Sequence, residues 1–132
     1  MLEYTSDLST ICGRIRYYRL LNGLSQEELS HKSGIDRTTI IRYENNQLNH
    51  SLELCYKIAK TIGIDPNLIY DEYLAFISSS FGNKIKNIRK KNKLTQHAFG
   101  AIIGVHRKTI VRWEKEQLSP TRENYLSICK FM

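Results

Sequence analysis

The chain is 132 residues long, 41% hydrophobic and 25% charged, with seven glycines and two prolines. That is a globular composition and not a disordered one, enough for one average domain or two very small ones. The net charge of +7 favours polyanionic partners such as nucleic acid.

Further classes fall away on local grounds. The opening MLEYTSDLST has no basic segment leading into an apolar core, so no secretory leader is expected. Apolar runs such as LIY and AFI are far shorter than the ~20 residues of a spanning helix, so no membrane partner is expected either. Cys12, Cys55 and Cys129 are widely spaced and odd in number. That suits reduced, mostly buried thiols in a cytoplasmic protein, and neither a disulfide framework nor a zinc site. His31, His50, His97 and His106 show no metal-ligand spacing. With no phosphate loop, nucleophile elbow or acid/base pair, catalysis is not expected, and no cofactor, metal or small-molecule ligand is called for.

The elements in chain order are short helices, with no alternating strand pattern. Leu8, Ile11, Ile15 and Tyr18 follow a helical spacing that Asn22-Gly23 ends. Ser25 can cap a second helix with Glu28 as its capping-box partner, and Gly34 breaks it. Asp36 caps a third helix running to about Asn45. SLELCYKIAKTIG supplies a fourth, burying Leu52, Cys55, Ile58 and Ala59. A fifth is expected over 66–80, with Asp65 as cap and Pro66 at the first helical position. It would be ~22 Å long at 1.5 Å per residue, and Ser78–Ser80 would end it and cap the next helix.

Shifted by 70 residues, the chain aligns with itself without gaps. Ile15 meets Ile85, Arg19 meets Arg89, Asn22 meets Asn92, Gln26 meets Gln96 and Gly34 meets Gly104. DRTTIIRYE, starting at Asp36, falls on HRKTIVRWE, starting at His106. A match this dense marks a duplicated unit, with expected domains at 1–77 and 78–132. The second copy ends at the counterpart of Ile62 and so lacks a fifth helix. Its open apolar edge would need the 66–80 helix, the N-terminal segment, a second copy of the chain or another protein to cover it. The charge is also unequal. Residues 1–70 carry eight Lys/Arg and eight Asp/Glu, whereas residues 71–132 carry twelve against five. Much of the excess lies in KIKNIRKKNK.

At about 100° per residue the third helix of each copy divides by face. Ile40 with Tyr43, and Ile110 with Trp113, point inward. Arg37, Thr38, Ile41, Arg42 and Asn45 fall on the outward arc of one copy. Arg107, Lys108, Val111, Arg112 and Lys115 fall on that of the other. A capped helix, a glycine turn and a second capped helix form a helix-turn-helix, whose second member can enter a DNA major groove. Arginine suits that position because its fork matches guanine O6 and N7, while Ile41 or Val111 could meet a thymine methyl.

LSQEELSHKSGIDRTTIIRYENNQLNHSLELCYKIAKTIGIDPNLIY and LTQHAFGAIIGVHRKTIVRWEKEQLSPTRENYLSICK both resemble the lambda-repressor-like (Cro/C1, or XRE) helix-turn-helix family. The resemblance implies an all-α protein of two tandem bundles. It implies that Gln26 and Gln96 touch DNA, and that Arg37, Thr38 and Arg42, with Arg107, Lys108 and Arg112, read bases. It also implies structural ion pairs between Arg19 and Glu44 and between Arg89 and Glu114. Ala98 in place of a capping-box glutamate, and His106 in place of Asp36, depart from the pattern.

The expected function is a sequence-specific regulator of transcription that binds double-stranded DNA, most simply a repressor occupying an operator. Heads reading one face of DNA sit about 34 Å apart. Lys90, with Lys91, is expected to contact phosphates. The alternative is a protein-binding module, such as an antitoxin or an inhibitor of a nucleic-acid enzyme, that also binds DNA to regulate itself.

Overall fold

A computed structural model describes residues 7–132. Among them the regular structure is entirely helical, and the chain divides into two units, Met1–Leu74 and Ala75–Met132. In the first unit come α1 (Ile11–Leu21), α2 (Gln26–Ser33), α3 (Arg37–Glu44) and α4 (Leu52–Ile62), then a single 3-10 turn at Pro66–Leu68. The short helix α5 (Glu72–Ile77) contains the boundary between the units. The second unit holds α6 (Phe81–Lys91), α7 (Gln96–Ile103), α8 (Arg107–Glu114) and α9 (Arg122–Cys129).

Side-chain caps set most helix starts. Thr10 accepts from the Gly13 N–H at 3.1 Å. Leu8 therefore precedes α1 instead of joining its apolar stripe, and it is exposed. Ser25 and Glu28 form both halves of a capping box, at 3.0 and 2.8 Å. Asp36, Ser51, Thr95 and Thr121 cap α3, α4, α7 and α9. Glycines stop three helices where the backbone turns left-handed: Gly34 after α2, Gly63 after α4 and Gly104 after α7, with φ of 77°, 90° and 95°. Asn22 and Asn92 close α1 and α6 by donating side-chain N–H groups to the carbonyls of Tyr18 and Ile88, each at 2.8 Å.

Two expectations fail here. The helix foreseen over 66–80 is not continuous, so there is no ~22 Å rod. Arg14 donates to the carbonyls of Ile69 and Tyr70, each at 3.2 Å, and engages acceptors a continuing helix would use. Asp71 then accepts from the Leu74 N–H at 2.9 Å and starts α5 afresh. Nor does Ser80 cap α6: its φ is 50° and its side chain makes no capping bond. Glu116, from the loop after α8, does part of that work by accepting from the Gly82 N–H at 3.2 Å.

Each unit has its own core. Ile15, Leu29, Ile40, Cys55, Ile58 and Ile69 are fully buried in the first, as are Ile85, Phe99, Ile110 and Ile128 in the second. Each such Ile or Leu side chain stabilises the fold by about 1.5–3 kcal/mol. Tyr43 and Trp113 are also core residues, at 3% and 1% exposure. Of the cysteines, all free, only Cys55 is buried; Cys12 and Cys129 are half-buried. Among the described residues, no counterpart of the Pro66–Leu68 turn follows α9. Phe131 packs edge-on against Phe99 with ring centroids 5.5 Å apart, and Phe76 packs on Tyr125 at 5.1 Å. Leu126, Ile102 and Met132 remain exposed. The N-terminal segment, a candidate cover for this edge, lies outside the described residues at positions 1–6.

Candidate nucleic-acid interface

The surface around α3 is built from its buried side outward. Ile40 and Tyr43 anchor the helix in the core. At its end Glu44, its side chain 3% exposed, receives a two-pronged bond from Arg19: Nε to Oε2 at 2.6 Å and Nη2 to Oε1 at 2.8 Å. The third guanidinium nitrogen donates to the Leu24 carbonyl at 2.8 Å. Gln26, the first residue of α2, adds a bond from Nε2 to Glu44 Oε1 at 3.1 Å. One carboxylate therefore ties the end of α3 to α1, to the loop after it and to α2. Removing one side of such a buried pair strands a charge and costs about 3–5 kcal/mol.

The second unit repeats the lock. Arg89 Nε and Nη2 donate to Glu114 at 2.7 and 3.0 Å, Nη1 donates to the Leu94 carbonyl at 3.0 Å, and Gln96 Nε2 reaches Glu114 Oε1 at 3.3 Å. The hydrogen bonds to Glu114 hold the Arg89 guanidinium charged more firmly than usual. Because a carboxylate only accepts, both glutamines turn their amide nitrogen toward it, leaving the amide oxygen to meet outside donors. Both glutamines are half-buried.

With the helices fixed, the outward arcs are defined. On α3, Arg37, Thr38 and Arg42 are exposed, as is Asn45 just past its end, while Ile41 is half-buried between them. On α8, Arg107, Lys108 and Arg112 are exposed with Lys115 beyond, and Val111 is half-buried. Arg107, Lys108, Val111, Arg112 and Gln117 line a shallow groove of about 340 Å³. Lys90 stands exposed on α6 and is not one of the residues lining this groove.

Several residues escaped the sequence reading. Gln117 lines the groove; its match with Gln47 in the internal alignment was the available signal. His50, 9% exposed, bonds through Nε2 to the Tyr43 carbonyl at 2.9 Å and stacks edge-on against the Tyr43 ring at 4.6 Å. Glu116 carried no signal, because its partner is a backbone N–H distant in sequence. Among the described residues no group of three or more His, Cys, Asp or Glu is placed to hold a metal. No helix among them is long and apolar enough to cross a membrane.

Comparison with known proteins bears on what these surfaces are. An uncharacterized HTH-type transcriptional regulator of Methanocaldococcus jannaschii is 43% identical over 61 residues, which span 45% of this chain and 92% of that protein. Repressor protein C2 of Salmonella phage P22 is 39% identical over 49 residues, 37% of this chain and 23% of the repressor. A crystal structure of the hypothetical transcription factor NHTF from Neisseria is 28% identical, with a TM-score of 0.44, and the match covers 55% of this chain and 86% of that one. The helix-turn-helix family model matches twice, over residues 15–69 and 85–132. With two matches over most of its length, and the same arginine–glutamate–glutamine lock in each, the chain belongs to the Cro/C1-type helix-turn-helix family of DNA-binding transcriptional regulators.

Proposed function

We propose that the chain is a sequence-specific repressor that reads the major groove of double-stranded DNA with both α3 and α8. The observation that carries this is the pair of exposed arginines, five residues apart, on each of two rigidly held helices: Arg37 with Arg42, and Arg107 with Arg112. Each guanidinium can donate two hydrogen bonds to guanine O6 and N7, worth about 1–3 kcal/mol of discrimination per base. The half-buried Ile41 and Val111 between them suit a thymine methyl. Thr38, Asn45, Lys108 and Lys115, with Gln26 and Gln96 at the start of the preceding helices, would contact phosphates and neighbouring base edges. Repression is then steric: the bound chain occludes its operator.

Selection from a pool of random duplexes tests this. The expected result is a guanine-containing motif with two half-sites. Arg37→Ala/Arg42→Ala should erase preference at one half-site, and Arg107→Ala/Arg112→Ala at the other. No enrichment by the unaltered chain would sink the reading, and enrichment of a single half-site would limit it to one head.

A second reading, a protein-binding module in which DNA binding serves autoregulation, is favoured by one observation. Leu126 and Ile102 of the second unit are 64% and 56% exposed. A second copy of the chain at this edge would raise the mass seen by light scattering with concentration, and Leu126→Ser would reverse the rise. A monomeric mass throughout counts against self-association.

A further inference from the structure

Divided at Leu74, the chain is more polarised than its halves suggest. The first unit has eight Lys/Arg against ten Asp/Glu, a net −2, and the second has twelve against three, a net +9. The arginines and lysines of α8 account for part of that excess. Another part lies on α6, and the packing of α6 sets which of its lysines adjoin α8.

Two residues define the flank of α6 that meets α8. A Cβ on Gly82 would lie 2.4 Å from the Glu114 carbonyl oxygen, so the backbones touch there. Arg89 is bonded to the Glu114 carboxylate. At about 100° per residue, Lys86 and Lys90 fall about 40° and 80° round the helix from Gly82, bordering that contact line. Lys93 follows in the loop to α7, which Gln96 ties to the end of α8 through Glu114. Lys86, Lys90 and Lys93 are all exposed. Lys84 and Lys91 lie about 160–180° from Gly82, on the other side of α6, by the same geometry. Lys84 is already engaged, its Nζ donating to the Phe76 carbonyl at 3.1 Å.

The first unit lacks this arrangement. The same three positions are Arg16, Leu20 and Gly23, one charge in place of three. Its α2 opens with two exposed acids, Glu27 and Glu28, where α7 opens with His97 and Ala98. The Ser25 backbone N–H and hydroxyl hold the Glu28 carboxyl below the usual range, so that charge persists to lower pH than in a free glutamate.

We propose that Lys86, Lys90 and Lys93 form a phosphate-contacting rail beside α8, making the second unit the electrostatic anchor of the chain on duplex DNA and the first a weakly anchored reader. This rests on the duplex-binding reading above. Contacts of this kind carry no base information; they set affinity and its response to salt. Of the two lysines expected from sequence to touch phosphates, Lys90 belongs to the rail and Lys91 does not.

The full chain, bound to a short duplex of arbitrary sequence over a range of salt concentrations, supplies the test. The rail variant is Lys86→Ala/Lys90→Ala/Lys93→Gly, with glycine chosen because Lys93 has φ 57° and its counterpart is Gly23. The charge-matched control is Lys57→Ala/Lys60→Ala/Lys91→Ala. Each lost phosphate contact lowers the log–log salt slope by about 0.9. The rail variant should lose about 2–3 from the slope and the control less than about 0.5, with the rank order of preferred sequences unchanged in both. Equal losses would mean that net charge alone matters, and an unchanged slope in the rail variant would mean no contact there; either overturns the rail. If the unaltered chain does not bind duplex at all, the DNA-reading proposal itself falls.

Discussion

The two units carry the same lock and different surroundings. Arg19–Glu44–Gln26 and Arg89–Glu114–Gln96 match in every hydrogen bond, and their distances differ by no more than 0.2 Å. Around the locks almost everything has drifted. The turn before α3 is closed partly by side chains: Ser33 Oγ accepts from the Ile35 N–H and Ser30 Oγ donates to the Ile35 carbonyl. The turn before α8 has a glycine in place of Ser30, and the Val105 N–H returns to the Gly100 carbonyl at 2.9 Å. A Cβ on Gly100 would sit 2.7 Å from the Val105 oxygen, so this turn is closer-packed. His50, hydrogen-bonded to Tyr43, gives way at the matching position to Pro120, which is fully buried. The comparison teaches that the placement of the outward-facing helix is shared, while the means of supporting it are local solutions.

Breaking the lock should have the largest effect, and an equal one in the two units. Arg19→Ala and Arg89→Ala each leave a buried glutamate without its partner and should cost about 3–5 kcal/mol in chemical denaturation. A clear difference between them would show that matched geometry hides unequal dependence. Gly82→Ala comes next, at about 2 kcal/mol, because the new methyl overlaps the Glu114 carbonyl. The equivalent Cys12→Ala in the first unit should be close to neutral.

Gly100→Ser, which writes the first turn into the second, should cost about 1–2 kcal/mol by overpacking against Val105. A neutral result would mean that the second turn can relax to the geometry of the first. The smallest effect runs the other way. Ala98→Glu supplies the missing capping-box partner for Thr95 and should raise the thermal midpoint by a few degrees. Its sign with pH follows Glu28, whose carboxyl is lowered by its bonds to Ser25. A depressed carboxylate stabilises the fold above the ordinary glutamate value, and its contribution fades as pH falls through the lowered one. The gain should therefore be present at pH 7 and be lost in acid, as pH falls from the ordinary glutamate value through the lowered one. A gain that survives acid would have some other origin than the carboxylate.

Much of the architecture was legible because short-range rules govern it. Cap residues, turn glycines and 3.6-residue periodicity located the helices from α2 to α4, and a 70-residue self-match carried those assignments into the second unit. The inward and outward faces of α3 and α8 follow from helical geometry alone, which is why Ile40, Tyr43, Ile110 and Trp113 were readable as core. Where the reading failed, a distant group had intervened. Arg14, 55 residues away, takes the Ile69 carbonyl and helps divide the expected fifth helix in two. Glu116, 34 residues away, serves the start of α6 that Ser80 leaves uncapped.

The sequence by itself determined that there are two copies of one helical unit, which helix in each faces outward, and that the positive charge gathers in the second. Those properties depend on residue order, period and count. Only the tertiary structure decided which side of α6 lies against α8, and so which of its lysines stand beside that helix. A run such as KIKNIRKKNK distributes charge all round a helix, and only the contact at Gly82 and Arg89 gives that helix a direction.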